Sequence, residues 1–239
     1  MPTDAAAPGM MDPAGALRLS NHTERNVMAR IAVIGGTGYA GSHIVREAVS
    51  RGHTVISVAR SVPAERVEGA TYVEGTLLDV PSLVAELQGV DVVVSAAAPR
   101  GDMAGKLRPA TAELLAALPD SVRLGVIGGA GGSLVAPGGP RLIDSGFPEE
   151  YKAEAFEAIG ILEDLQATDA AKDWFFVHPA AEFGAWAPGE RTGAYRDGGD
   201  VLVSDENGKS YISGADLGVA VVDEIETPAH HRGRFTIGY

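Results

Sequence analysis

The stretch Arg30-Ile-Ala-Val-Ile-Gly-Gly-Thr-Gly-Tyr-Ala-Gly-Ser-His43 decides the reading of this chain. Ile31, Val33 and Ile34 form a β-branched run that suits a buried strand. Gly35, Gly38 and Gly41 punctuate a turn, and Ile44, Val45 and Ala48 supply one apolar face of a following helix. A glycine without Cβ lets the backbone approach a pyrophosphate closely, and the unpaired N–H groups at the start of a helix attract its charge. Strand, glycine turn and helix in that order point to a dinucleotide. The spacing is G-x-x-G-x-x-G, with the middle glycine one residue later than in the common fingerprint.

Outward from this turn, Thr54–Ala59 is a second β-branched run, and the two complete a βαβ unit. The end of the second strand usually holds an acidic residue for the ribose 2′-hydroxyl. Here it holds Arg60-Ser61. A guanidinium and a hydroxyl suit a 2′-phosphate, which favours NADP(H) over NAD(H); the plainer alternative is a surface arginine at a strand end. Residues 71–74 read as a third strand. Asp79 beyond it is placed to meet the adenine amine, to cap a helix starting near Pro81, or both. Residues 90–98 form a fourth strand whose small end residues, Ala97 among them, would let a cofactor pass close. A helix is expected over 106–118, with Pro109 in or near its first turn.

The fifth strand, Arg123–Ile127, runs into Gly128-Gly-Ala-Gly-Gly-Ser-Leu134, a second glycine cluster at a carboxyl strand end, where open α/β sheets hold ligands. Gly128, Gly129 and Ala130 are thereby candidates to lie beside a nicotinamide. A helix over 151–170 and an aromatic strand, Trp174-Phe-Phe-Val-His-Pro179, follow. From about 180 to 210 the composition changes to Gly, Pro and Arg between short apolar runs, with a turn at Asn207-Gly208 after residues 201–204. This reads as a hairpin-bearing insertion on the substrate side. Phe183 and Trp186 either wall a substrate pocket or pack the insertion. Ser213 to Asp216 resembles a capping box for a helix over 217–226. Residues 234–239 close the sheet, preceded by His230-His231, which read as loop decoration.

Composition narrows the rest. The chain has 239 residues, a formal charge of -13 and a pI near 4.8. That length suits one α/β domain, residues 28–239, and the acidity argues against a nucleic-acid partner. The absence of cysteine excludes disulfides, thiolate nucleophiles and thiolate metal sites, and fits a cytoplasmic setting. No apolar stretch reaches the roughly 18 residues of a membrane span. Residues 1–27 are rich in Ala, Pro and Gly without periodicity, so disorder is expected there, with no secretory signal and Met28 as a natural start of the folded part. No metal-binding spacing appears, and nothing sets the oligomeric state.

With the glycine turn, Arg60, the cluster at 128–133, Asp173-Trp174, Ile212-Ser-x-x-Asp216 and Arg234-Phe-Thr-x-Gly-Tyr239 in hand, the chain resembles the atypical short-chain dehydrogenase/reductases. Within them it is most similar to the NAD(P)H-binding, NADH-flavin reductase type, related to biliverdin reductase B and more distantly to NmrA-like redox sensors. The resemblance covers about 29–239 and implies an α/β doubly wound Rossmann-type parallel sheet. It also implies Gly35, Thr37, Gly38, Tyr39 and Gly41 at the pyrophosphate, Arg60 at the 2′-phosphate and Gly128 to Ala130 near the nicotinamide.

Departures from the family matter as much. None of the six tyrosines has a lysine four residues later, so the Tyr-x-x-x-Lys proton relay of the family's dehydrogenases is missing. Tyr151 is followed directly by Lys152, about 100° away on a helix. The biliverdin reductase B branch places a serine after the fifth strand and a histidine past the sixth-strand proline, where this chain has Gly131 and Ala181. Ser133 and His178 lie nearby, off register. Both are candidate catalysts, and His178 is equally a packing or cofactor-orienting residue. Three readings remain: a reductase passing hydride from NADPH to a flavin, quinone or similar small acceptor; a non-catalytic redox sensor; and, weakest without the relay, a sugar-nucleotide epimerase or dehydratase.

Overall fold

The computed structural model describes residues 16–19 and 28–239. Its centre is a parallel sheet of β2 (Arg30–Ile34), β3 (Thr54–Ala59), β4 (Ala70–Glu74), β5 (Val92–Ser95), β6 (Arg123–Ile127), β7 (Trp174–His178) and β9 (Gly233–Gly238). Strands β1 (Ala16–Leu19) and β8 (Ala194–Asp197) extend it antiparallel, giving the order β1-β8-β9-β7-β6-β5-β2-β3-β4. Chain direction across the sheet reverses between β2 and β5, which both pair with each other and lead to opposite flanks. That reversal is the switch point of a doubly wound Rossmann-type fold, and β2 ends there in the glycine turn.

Residue type explains the layers. Central strands are buried on both faces, so they read as unbroken apolar runs; β4, at the edge, is only partly buried. Alternate side chains serve opposite faces. Ile34, Val58, Leu124, Trp174 and Phe176 meet helices α2 (Val80–Glu86), α3 (Leu107–Ala117) and α4 (Glu149–Gln166) in one cluster. Ile31, Val33, Val55, Phe175 and Phe235 meet α1 (Tyr39–Ser50) and α5 (Gly214–Glu226) in another. Asp79 accepts from the Ser82 N–H at 3.2 Å and Ser213 from the Asp216 N–H at 3.0 Å, so both predicted caps form.

Three expectations change. Ala16–Leu19 is a strand paired with β8, against the disorder expected for the first 27 residues; the rest of that segment lies outside the described residues. An unpaired strand edge on β8 overrides weak local propensity. The strand of the 180–210 segment is Ala194–Asp197, while Val201 makes a single bridge to Leu134. Its turn does form, with the Asp205 N–H donating to the Lys209 carbonyl at 2.8 Å. Finally, His230 is no loop decoration: its ring stacks on Phe235 at 4.1 Å, between Glu224 at 2.8 Å and Asp197 at 3.1 Å.

Candidate cofactor and substrate site

At the carboxyl end of β2 the backbone turns through Gly35, whose φ of +77° disfavours any side chain. A Cβ there would also press on the Ala96 carbonyl at 3.1 Å. One on Gly36 would overlap Ser57 Oγ, and one on Gly41 would overlap the Gly35 carbonyl. The first turn of α1 therefore sits directly against the loop, as a phosphate cradle requires. Thr37 and Gly38 are exposed on the open side, and the first N–H groups of α1 have no partners within the helix. The site's chemistry fits a dinucleotide pyrophosphate. Ala96, Gly36 and Ser57 contribute to this fit and escaped the sequence reading, because their importance lies in what they touch across the sheet.

Tyr39 opens α1, but its phenol turns away from the cradle. It accepts from the Gly214 N–H at 3.2 Å, and its ring meets His43 at 5.1 Å and Phe183 at 5.3 Å. The side chain thus ties α1 to α5 and to the insertion. At the end of β3, Arg60 is three-quarters exposed and faces Asp102 at 3.5 Å. Asp79 makes its cap bond through Oδ1 and is otherwise exposed, and Ala97 packs partly buried against the core.

The second glycine cluster is shaped from below. A Cβ on Gly128 would overlap the Phe176 ring; on Gly131 it would lie 2.8 Å from Ala155, and on Gly132 2.7 Å from His178 Cε1. Gly129 alone among these has open space around its missing Cβ, so Gly129 and Ala130 form the part of the loop that can face a ligand. Two side chains from neighbouring strands hold it. His178 Nδ1 donates to the Gly129 carbonyl at 2.7 Å, and Arg234 Nη1 donates to the Gly132 carbonyl at 3.0 Å.

Neither catalytic candidate reaches the surface. Ser133 is fully buried and His178 is 1 % exposed, and Ser133 Oγ and His178 Nε2 have no hydrogen-bond partner among the described residues. Burial pulls the His178 pKa down to about 4 against the opposing Gly129 bond, so the ring is neutral at pH 7. The neutral ring keeps its Nδ1 proton on the Gly129 carbonyl and so holds the loop. Four residues after Tyr151 stands Ala155, 8 % exposed, and a Cβ on neighbouring Gly131 would lie 2.8 Å from its side chain. Lys152 pairs instead with Glu149 at 2.6 Å.

The insertion is fastened by residues that sequence reading gave no role at the site. Arg191 forks onto buried Glu47 at 2.9 and 2.8 Å. Asp216, fully buried, accepts from the Thr192 N–H at 3.0 Å, the Gly193 N–H at 2.8 Å, the Thr192 hydroxyl and the Tyr239 phenol. Burial and this carboxylate push the Tyr239 pKa up to about 12, so the phenol remains a donor. Phe183 is packed partly buried against the core, whereas Trp186 is 70 % exposed. Of the two aromatics, Phe183 anchors the insertion and Trp186 is the one available to a ligand.

A fold with its switch point at a glycine cradle defines a nucleotide-binding Rossmann protein, and the comparisons with known proteins agree. The model of the NAD(P)H-binding family matches residues 35–228, and the chain belongs to that family. The Bacillus subtilis protein YwnB is 38% identical over 213 residues, covering 87% of this chain and 97% of YwnB. A Streptococcus pneumoniae structure named "putative NADH-flavin reductase" is 32% identical with a TM-score of 0.75, covering 88% of this chain and 99% of its own. A Bacteroides thetaiotaomicron structure named "putative epimerase" is also 32% identical, with a TM-score of 0.77 over 89% of this chain and 97% of its own. Among the described residues, no helix is long and apolar enough to cross a membrane.

Proposed function

We propose that this protein is an NADPH-dependent reductase passing hydride to a flat, electron-poor acceptor of the flavin or quinone type. The observation that carries the reading is a pair: the glycine cradle is complete, and no tyrosine is followed four residues later by a lysine. Bound NAD(P)H supplies hydride. The chain's own part is to cradle the pyrophosphate, present Gly129 and Ala130 beside the ring and cover that side with the insertion. A flavin or quinone takes its proton from water, so positioning without a protein acid suffices. The flavin reductase name of the pneumococcal relative supports this, whereas epimerisation would need the relay that is missing.

Arg60 supports NADPH over NADH, because an exposed guanidinium at the end of β3 is the group a 2′-phosphate would meet. Arg60→Ala should weaken NADPH binding about 10- to 100-fold, the 1.5–3 kcal/mol of a hydrogen bond to a charged group, and leave NADH binding unchanged. Turnover is tested by loss of NADPH absorbance with FMN, riboflavin and simple quinones. Oxidation by any of them supports the reductase. Tight binding without oxidation would transfer the reading to a redox sensor, for which the same lack of an acid or base is suited.

A further inference from the structure

The loop after β5 carries a carboxylate across the cofactor cleft onto Arg60. We propose that Asp102 is a specificity-determining residue that competes with the 2′-phosphate for the Arg60 guanidinium and so limits the preference for NADPH. This rests on the reading of Arg60 given above.

Topology makes the pair significant. Strands β3 and β5 flank β2, so a contact between Arg60, at the end of β3, and Asp102, after β5, passes over the mouth of β2 and its glycine turn. The loop is not free to carry Asp102 elsewhere. Met103 packs against the core, Arg100 pairs with Glu154 of α4 at 2.6 Å, and Glu157 accepts from the Gly105 N–H at 2.7 Å and the Arg108 N–H at 3.1 Å. Gly101 and Gly105, both at positive φ, bend the loop on either side. Asp102 is thus held between anchors with its carboxylate 3.5 Å from Nη1 of Arg60.

The consequence is a competition. A 2′-phosphate must share or displace the carboxylate, and its negative charge meets that of Asp102 as well as the guanidinium. NADH brings no such charge and leaves the pair intact. Both side chains are three-quarters exposed, so the pair is a weak one, worth up to about 1 kcal/mol, or roughly fivefold in affinity.

The test measures dissociation constants for NADPH and NADH with the wild-type protein, Asp102→Asn, Arg60→Ala and the double variant, at low and high ionic strength. Asp102→Asn should tighten NADPH about three- to fivefold and leave NADH within about twofold, with the gain shrinking at high salt. In the Arg60→Ala background the same change should leave NADH unaltered and tighten NADPH less than it does beside Arg60, because only the direct repulsion is then relieved. Equal tightening of both cofactors would mean general charge repulsion and overturn the proposal. If Arg60→Ala weakens NADPH but Asp102→Asn does nothing, the competition fails while the 2′-phosphate site stands. If Arg60→Ala leaves NADPH unchanged, the site assignment itself fails.

Discussion

Single residues carry the sharpest consequences. Gly41 lies so close to the Gly35 carbonyl that even one methyl group has no space. Gly41→Ala should cost about 1–3 kcal/mol of stability through overpacking and sharply weaken NADPH binding by lifting α1 off the loop. Thermal unfolding and a fluorescence titration read the two effects, and an unaltered affinity would refute the cradle. His230 gives a pH signature. Burial lowers its pKa, but the bonds to Asp197 and Glu224 more than compensate and hold it at about 9, above the ordinary 6.5. The charged ring therefore stabilises the fold fully below pH 6.5, and this contribution disappears as pH rises through about 9. The melting temperature should decline across that window, and His230→Gln should lower stability at pH 6.5 and flatten the decline. A variant with the wild-type slope would show that another group titrates.

Elements show why some of this was legible and some was not. The central strands announced themselves because burial on both faces demands β-branched and aromatic runs, and the glycine turn because its spacing follows from backbone contact with phosphate. The cluster at 128–132 was visible as glycine, yet its cause was not: Phe176, Ala155 and His178 lie beneath it, up to about 50 positions along the chain. Asp216 looked like a helix-capping residue and proves to be the point where Thr192, Gly193 and Tyr239 converge. Likewise β1 exists because β8 offers an edge, a tertiary fact that its four residues cannot declare. The insertion's fastening can be tested at this scale. Glu47→Gln leaves Arg191 without this carboxylate and removes one of the acidic partners of buried Arg51, beside Asp223 and Glu226, so it should cost about 2–4 kcal/mol. Limited proteolysis should then cut within 180–210 faster than in the wild type; equal rates would show that Arg191 does not hold the segment.

At the scale of the molecule, the two glycine loops follow β2 and β6 at the carboxyl end of one parallel sheet, where a dinucleotide would lie. Among the described residues beside these loops, His178 is neutral and enclosed, and Ala155, not a lysine, stands four residues after Tyr151. Hydride transfer without protein acid–base chemistry is the central claim that follows. The most direct measurement is single-turnover oxidation of NADPH deuterated at one or the other face of C4, with FMN and a quinone as acceptors, over a range of pH. Direct hydride transfer predicts a primary isotope effect for one label only and a rate without a titrating protein group near neutrality. Bound NADPH that is never oxidised, or a rate that follows the ionisation of a side chain, would contradict it.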